Sequence, residues 1–284
     1  MKIGIGLPNQ VRDVDPTLIP RWAARAEEAG FSTLGTVGRY AYPGVSDTVA
    51  LAAAAGATQR IGLLSHVLLA PSWPAQLLAK EAAGIDGVSG GRLTLGIAAG
   101  MRPDDFVVPG LGTAGRGRRF DADIEHYKEV WDGRPVGGGP NPAVPASTRR
   151  VPLLFGAQSE AAMARAAREG EGYIAGSVPA SMVVDAFAGF RAAWSGAGRE
   201  GEPRMVALAY YALGDAEAGR AAVHDYYSFG GEDFAGLVSG NLSGDADAIR
   251  TTVAAFSEIG ADELVLVPGV ADLDQVSRLA DVVL

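Results

Sequence analysis

Short apolar segments alternate with helical segments along the whole chain, and this alternation constrains the fold more than any other feature. Eight segments have the length and composition of buried strands: 3–8, 33–37, 61–69, 93–98, 151–155, 172–175, 205–213 and 263–267. Stretches with helical spacing separate them, and those at 18–29 and 75–88 are the clearest. Near-continuous apolar strands joined by helices predict a parallel sheet that is covered on its outside.

A doubly wound open sheet and a closed barrel both satisfy this pattern. The presence of eight strand–helix units favours the closed (β/α)8 TIM barrel, a fold of the α/β class. A length of 284 residues fits one barrel, and no Pro/Ser-rich break divides it, so we predict a single domain over 1–284. Residues 225–244 fit less well, and we predict a small insertion or lid there.

The composition excludes several functions. A net charge of −9 argues against the phosphate contacts that a nucleic-acid partner requires. The absence of cysteine excludes disulfides, thiolate nucleophiles and zinc-thiolate sites. No apolar signal core opens the sequence, and Gly and Pro interrupt its longest apolar runs. We therefore expect a cytoplasmic protein that binds neither membranes nor nucleic acid.

The active site of such a barrel is built from loops at the carboxyl ends of the strands. These positions hold few acid–base or nucleophilic groups and many small residues; they are Asn9, Arg39, His66, 100–102, 156–159, 176–177, Tyr211 and Pro268. No histidines or carboxylates have metal-ligand spacing, and no GxSxG motif is present. We therefore expect a small-molecule substrate and a cofactor that supplies its own reactive atom, held in a smooth slot by a phosphate grip.

Four polar residues at these positions have two interpretations each. The loop GAQS at 156–159 precedes a helix, so its free N–H groups and the Ser159 hydroxyl suit a phosphate. Ser159 also fits an ordinary helix N-cap. His66 is either a satisfied buried histidine or a hydrogen-bonding partner of a bound ring or substrate. Arg39 and Arg102 either hold an anion at the mouth of the barrel or are solvated charges.

Residues 58–106 carry a dense set of motifs: T-x-R-I, A-K-x-A-A-x-x-D, S-G-G-R-L-x-L-G and G-x-x-x-[DE]-[DE]-F. Together these resemble the bacterial luciferase-like monooxygenase family. The resemblance extends to about Gly176 and resumes at the last strand. It implies a (β/α)8 barrel that uses reduced FMN with oxygen, or the deazaflavin coenzyme F420 for hydride transfer without oxygen.

The resemblance also implies positions for the cofactor. Its phosphate would bind the loop after the fifth strand, and the exit of the fourth strand would flank its ring. A cis peptide bond behind the ring would fall near His66–Val67. With Asn9 from the strand ends, the predicted cofactor contacts are His66, Val67, Ala98, Ala99, Gly100, Met101, Gly156, Ala157, Gln158, Ser159, Gly176 and Ser177.

Two departures from the family pattern affect the chemistry. Many members carry a catalytic histidine after the second strand, in an acidic–His motif, where this chain has Gly38-Arg39. Either Arg39 or His66 replaces it, or the reaction needs no such group; both are our candidate catalytic residues. Gln158–Ser159 also stand where many members have Gly-Gly or Gly-Ser, which leaves the choice between FMN and F420 open.

The residues at the strand ends and the family resemblance together give three candidate functions. The first is an FMN-dependent monooxygenase or oxidoreductase whose substrate pocket is completed by Arg39, Tyr40, Trp73, Tyr211 and the 226–234 lid. The second is an F420-dependent two-electron reductase or dehydrogenase. The third is a non-catalytic flavin-binding relative, which the missing histidine motivates. The resemblance further implies a homodimer and, for an FMN enzyme, a separate flavin reductase as partner.

Overall fold

A computed structural model describes all 284 residues and shows a closed parallel barrel. Its strands are β1 Lys2–Gly6, β2 Thr33–Thr36, β3 Gly62–Ser65, β4 Leu68–Leu69, β5 Leu93–Ala98, β6 Leu153–Gly156, β7 Gly172–Ile174, β8 Arg204–Tyr211 and β9 Glu263–Pro268. They are ordered β4-β5-β6-β7-β8-β9-β1-β2-β3, and pairing of β3 with β5 closes the sheet. β3 and β4 are the two halves of the third predicted strand, so the predicted eight-stranded TIM barrel is confirmed. The His66–Val67 peptide bond between them is cis, at the predicted place.

Ten helices accompany the strands: α1 Leu18–Ala29, α2 Asp47–Ala57, α3 Ala75–Ser89, α4 Arg116–Trp131, α5 Glu160–Glu169, α6 Ala180–Gly196, α7 Ala216–Tyr227, α8 Glu232–Gly240, α9 Ala246–Glu258 and α10 Asp274–Val283. α1 and α3 each end at a left-handed glycine, Gly30 and Gly90. α4 begins at Arg116, and its first turn is held by Arg165 of α5, which donates to the Gly117 carbonyl at 2.9 Å. No helix is both long and apolar enough to cross a membrane.

Two separate apolar layers are formed because successive residues of a strand point to opposite faces. On β8, Val206, Leu208 and Tyr210 belong to the cluster inside the barrel. Met205 and Tyr211, from the same strand, belong to the larger cluster between the strands and the surrounding helices. The inner face of each strand therefore decides which side chains reach the mouth of the barrel.

A charged pair fills the amino-terminal end of the barrel. Glu263, which is 1% exposed, accepts hydrogen bonds from Arg204 and Ser32, both at 2.6 Å. Burial raises the pKa of the Glu263 carboxyl, but the bonds from Ser32, Thr33 and Arg204 outweigh it, and the pKa lies below its ordinary value. The amino-terminal end is thus closed by groups that hydrogen-bond to one another. A functional site is therefore expected at the opposite, carboxyl end.

The chain makes an excursion between β8 and β9 that covers part of this carboxyl end. After α7 and α8 it returns to β8, where the Ser243 N–H donates to the Tyr210 carbonyl at 2.9 Å. α9 then packs against the outer face of the barrel through Ile249 and Phe256. Side chains of α7 and α8 instead join the cluster inside the barrel. We call residues 216–240 the cap and residues 225–234 its tip.

The excursion begins before the insertion predicted at 225–244. α7 and α8 together form the cap, and α9 is the barrel helix. The reason is that Tyr226 and Tyr227 face the inner cluster. Helical spacing alone does not distinguish a helix that packs on the outside of a barrel from one that covers its mouth.

Candidate active site

Small residues meet at the carboxyl ends of β4, β5 and β6. Ala98 pairs with Leu69 on one side and with Gly156 on the other. A Cβ added to Gly156 would lie 3.3 Å from the Ala98 Cβ and 3.8 Å from the Val67 Cγ1, so these three residues are in contact range of one another. We call Val67, Ala98 and Gly156 the floor. Because no large side chain rises from it, the floor fits the flat face of a tricyclic ring.

His66 lies beside the floor and is neutral. Burial lowers the pKa of its imidazole to about 4. Its Nε2 lies 3.3 Å from the Ala175 carbonyl oxygen, and this contact requires the proton to be on Nε2. Nδ1 is then an acceptor, and it has no partner in the protein. His66 is therefore suited to accept a hydrogen bond and poorly suited to act as an acid at neutral pH.

The predicted phosphate loop lies next to the floor. Ser159 caps α5, since its hydroxyl accepts a hydrogen bond from the Ala162 N–H at 3.3 Å. Ala157 is buried, and its carbonyl accepts the Tyr173 hydroxyl at 2.9 Å. Gln158 is exposed. The N-cap interpretation of Ser159 is thus confirmed, while phosphate binding at this helix terminus stays a prediction.

The loops after β7 and β5, which were also predicted to contact the cofactor, differ in how many of their groups are already engaged within the protein. A Cβ added to Gly176 would meet no atom within 4 Å, so the loop after β7 leaves open space. The neighbouring Ser177 hydroxyl is hydrogen-bonded to the Tyr227 hydroxyl of the cap. After β5, Gly100 has a left-handed φ of 72° and its carbonyl accepts a bond from Arg116 at 2.7 Å, while Met101 is exposed.

Arg39 has its charge and two of its three guanidinium nitrogens engaged within the protein. It donates to the Tyr226 carbonyl of the cap at 2.8 Å and to Asp104 at 3.0 Å, and its side chain is 7% exposed. Arg102 is paired with Asp105 and donates to the Gly38 carbonyl at 3.1 Å. Both arginines therefore hold loops of the mouth together, and the predicted catalytic role of Arg39 stays a prediction.

Two predicted site residues point elsewhere. The side-chain amide of Asn9 donates both of its hydrogens to backbone carbonyls, to that of Val37 at 2.9 Å and to that of Val45 at 3.1 Å. Asn9 therefore shapes the loop after β2, and its side chain has no donor left for a cofactor. Tyr211 was expected in the substrate pocket, but it is fully buried against the outer helices, with its hydroxyl 3.4 Å from the Gln275 carbonyl. Its neighbour Tyr210 faces the interior instead.

Asp47 is the group at this end that the sequence did not point to. Its carboxyl occupies the place of a side chain at position 38, because a Cβ on Gly38 would lie 1.9 Å from Asp47 Oδ2. Asp47 is buried, and burial raises the pKa of its carboxyl to about 6. The nine-residue separation of Asp47 from Gly38 carries no sequence signal of this contact.

We expect Asp47→Asn to raise the free energy of unfolding at pH 8, by about 3 kcal/mol at most. With a pKa of about 6, the folded chain holds this proton more tightly than the unfolded chain does. Stability is therefore fully present below about pH 4 and decreases as pH rises to about 6. Urea unfolding at pH 4 and pH 8 measures the change, with the exposed Asp233→Asn as control. A variant destabilised equally at both pH values would contradict this account.

Buried polar atoms without a protein partner are frequent at this end. Four of the ten in the chain are Arg39 Nε, Asp47 Oδ1, His66 Nδ1 and the Tyr226 hydroxyl. Such atoms are rare in folded proteins, and water or a bound group can satisfy them. No group of three or more His, Asp or Glu residues is arranged to hold a metal ion. The arrangement can thus bind and orient a ring and its substrate, but it offers few groups for acid–base work.

Similarity to known proteins covers most of the chain. The family model described as luciferase-like monooxygenase matches residues 1–263. An uncharacterised protein of Mycobacterium tuberculosis is 31% identical over 175 residues, which cover 51% of this chain and 61% of that relative. The alignment thus spans less than two thirds of the relative's length.

Solved structures of similar fold include enzymes with either cofactor. An F420-dependent secondary alcohol dehydrogenase, solved with an F420–acetone adduct, matches with a TM-score of 0.80 at 16% identity, over 99% of this chain and 98% of that one. The oxygenating constituent of 3,6-diketocamphane monooxygenase from Pseudomonas putida, solved with FMN, matches with a TM-score of 0.72 at 16% identity, over 99% and 95%. At these identities the likeness shows the fold alone.

Proposed function

Since the chain belongs to the luciferase-like monooxygenase family, we propose that it is a flavin-dependent oxidoreductase that uses reduced FMN and oxygen on a small organic substrate. The observation that carries the proposal is the floor of Val67, Ala98 and Gly156 at the carboxyl end of the barrel. It provides an apolar surface without large side chains, against which the face of an isoalloxazine ring could lie. Membership of the family supports an enzyme in general, and the cofactor and reaction are our inference.

The residues of this chain would bind and orient the reactants. The floor would support the ring, and the N–H groups before α5, with Ser159, would bind its phosphate. His66 Nδ1 would accept a hydrogen bond, and the cap would exclude water from the ring and the substrate. The bound flavin supplies the two electrons and the oxygen chemistry. Since the cofactor carries the reactive atom, the scarcity of acids and bases at the mouth is compatible with catalysis.

A second candidate keeps the site and replaces FMN with the deazaflavin F420, which supports a two-electron reduction or dehydrogenation. The similarity of fold to the F420-dependent alcohol dehydrogenase favours it. A non-catalytic flavin-binding relative is the third candidate, because Gly38-Arg39 stand where many family members carry an acidic–His motif. A homodimer, a separate flavin reductase and a cytoplasmic location are further proposals that follow from the resemblance.

Oxygen consumption distinguishes these candidates. We expect the purified chain to bind FMN with micromolar or tighter affinity and, when FMN is chemically reduced, to couple oxygen uptake to product formation across a panel of small organic substrates. Turnover with F420 under anaerobic conditions would favour the deazaflavin enzyme. Binding of FMN without any substrate-dependent oxidation would favour the non-catalytic relative, and no affinity for either ring would overturn the proposal.

A further inference from the structure

The cap tip contacts the mouth of the barrel through side chains from three different loops. After β1, Arg12 pairs with Asp225 at 2.9 Å. After β2, Arg39 donates to the Tyr226 carbonyl at 2.8 Å. After β7, Ser177 is hydrogen-bonded to Tyr227. The tip therefore spans the mouth, and these contacts hold it against the end of the barrel where the floor lies.

Phe229 is the point at which two of the cationic side chains converge. The guanidinium carbon of Arg39 lies 4.9 Å from the centre of the Phe229 ring, and that of Arg102 lies 5.0 Å from it. The two arginines come from the loops after β2 and β5, so one aromatic ring of the cap is held by two sides of the barrel. Each such contact is favourable when it is shielded from water.

Carboxylates hold the guanidinium groups of Arg39 and Arg102 in position for their contact with Phe229. Asp104 pairs with Arg39 at 3.0 Å, and Asp105, which is itself buried, pairs with Arg102. The paired charges reduce the repulsion between the arginines, which lets both approach the same ring. Arg102 also donates to the Gly38 carbonyl, which ties it to the loop that carries Arg39. The side chains that hold Phe229 thus belong to loops of the barrel, and Arg102 is fixed there entirely by barrel residues, whereas Arg39 also donates to the Tyr226 carbonyl of the cap.

The closed cap also leaves polar groups unpaired. Three atoms are buried without partners: the Tyr226 hydroxyl on the cap, Arg39 Nε in the loop after β2 and Asp47 Oδ1 at the start of α2. The guanidinium carbon of Arg39 lies 5.7 Å from the centre of the Tyr226 ring. Each of the three unpaired atoms would gain a hydrogen bond to water or to a ligand if the cap lifted, because buried unpaired groups lose their hydration without compensation. The closed state is therefore opposed by these groups and favoured by the aromatic and ionic contacts of the tip.

We propose that the cap tip is a gate and that Phe229, held by Arg39 and Arg102, is its latch. Opening the latch frees the mouth for ligand, and closing it shields the site from water. The proposal rests on the proposed function only for the identity of the ligand. The contacts themselves predict a cap that opens as a unit while the barrel stays folded.

Hydrogen–deuterium exchange of the whole chain tests the latch without any ligand. We expect Phe229→Ala to speed exchange of amides in 225–241 about tenfold and to leave peptides of β5, β6 and β9 unchanged. Phe229→Tyr, which keeps the ring, should exchange like the unaltered chain. Leu237→Ala is the matched control, because Leu237 is an exposed apolar residue of the same cap.

The outcomes separate the latch from general destabilisation. Unchanged exchange in 225–241 for Phe229→Ala, or equal acceleration in the barrel strands, would overturn the proposal. FMN association by stopped flow is a second measurement, in which Phe229→Ala should bind several-fold faster than Leu237→Ala. If neither FMN nor F420 binds the unaltered chain, the proposed function fails, while the exchange experiment still decides the latch.

Discussion

Gly156→Leu is expected to raise the dissociation constant for FMN about 100-fold, which corresponds to about 2.7 kcal/mol of binding free energy. Gly156 lies on the inner side of β6, and a Cβ there would already be 3.3 Å from the Ala98 Cβ. The rest of a leucine side chain would therefore rise into the space above the floor, where the ring is proposed to lie. Fluorescence titration with FMN and with F420 measures the loss of affinity.

A glycine in the exposed loop between α4 and β6 provides the control. A Cβ on Gly139 would meet no atom within 4 Å, so Gly139→Leu adds the same side chain without touching the barrel. Circular dichroism should show both variants folded, with Gly139→Leu binding like the unaltered chain. If Gly156→Leu folds and binds both rings at unaltered affinity, the ring does not lie on the floor.

Gly172→Ala should lower the free energy of unfolding by at least about 3 kcal/mol, in the range of the most damaging single substitutions. A Cβ on Gly172 would lie 1.9 Å from the carbonyl oxygen of Arg204 and 2.8 Å from its nitrogen. These are backbone atoms of β8, so no side-chain rotation relieves the clash. β7 and β8 would have to separate, which breaks hydrogen bonds that close the barrel.

Urea denaturation measures this effect against Gly189→Ala. Gly189 is exposed in the middle of α6, and a Cβ there meets nothing within 4 Å. That substitution should leave stability unchanged or raise it by up to about 1 kcal/mol, because alanine favours the helix. A Gly172→Ala protein as stable as Gly189→Ala would mean that the β7–β8 pairing is wider than described.

The fold could be predicted because the barrel repeats one unit eight times. Each strand is apolar and each is followed by a helical stretch, so an error in one unit leaves the count and the architecture intact. The motifs in 58–106 added the family and the position of the cis bond at His66–Val67. The repeat did not indicate that α7 leaves the pattern, because its helical spacing is like that of a barrel helix.

Less of the site could be predicted, and the errors have a common physical origin. A strand buried on both faces shows no polar alternation, so its sequence does not reveal that Tyr210 faces inward and Tyr211 outward. Contacts between loops are equally hidden: the approach of Asp47 to Gly38 and the use of both Asn9 amide hydrogens depend on the path of the chain after β2. Of the floor, Gly156 was predictable from its position at a strand end, whereas Val67 and Ala98 were predicted from the family resemblance.

The segments that flank the cap meet at one point, where Ser243 is hydrogen-bonded to Tyr210 and Ala212 at the end of β8. A segment whose ends are fixed side by side can change in length at little cost in loop entropy. The cap is therefore a replaceable module: a different helical hairpin spliced between residues 213 and 243 would give the same barrel a mouth of different shape. Variation in substrate preference among chains of this architecture can thus arise from exchange of a single continuous stretch of sequence.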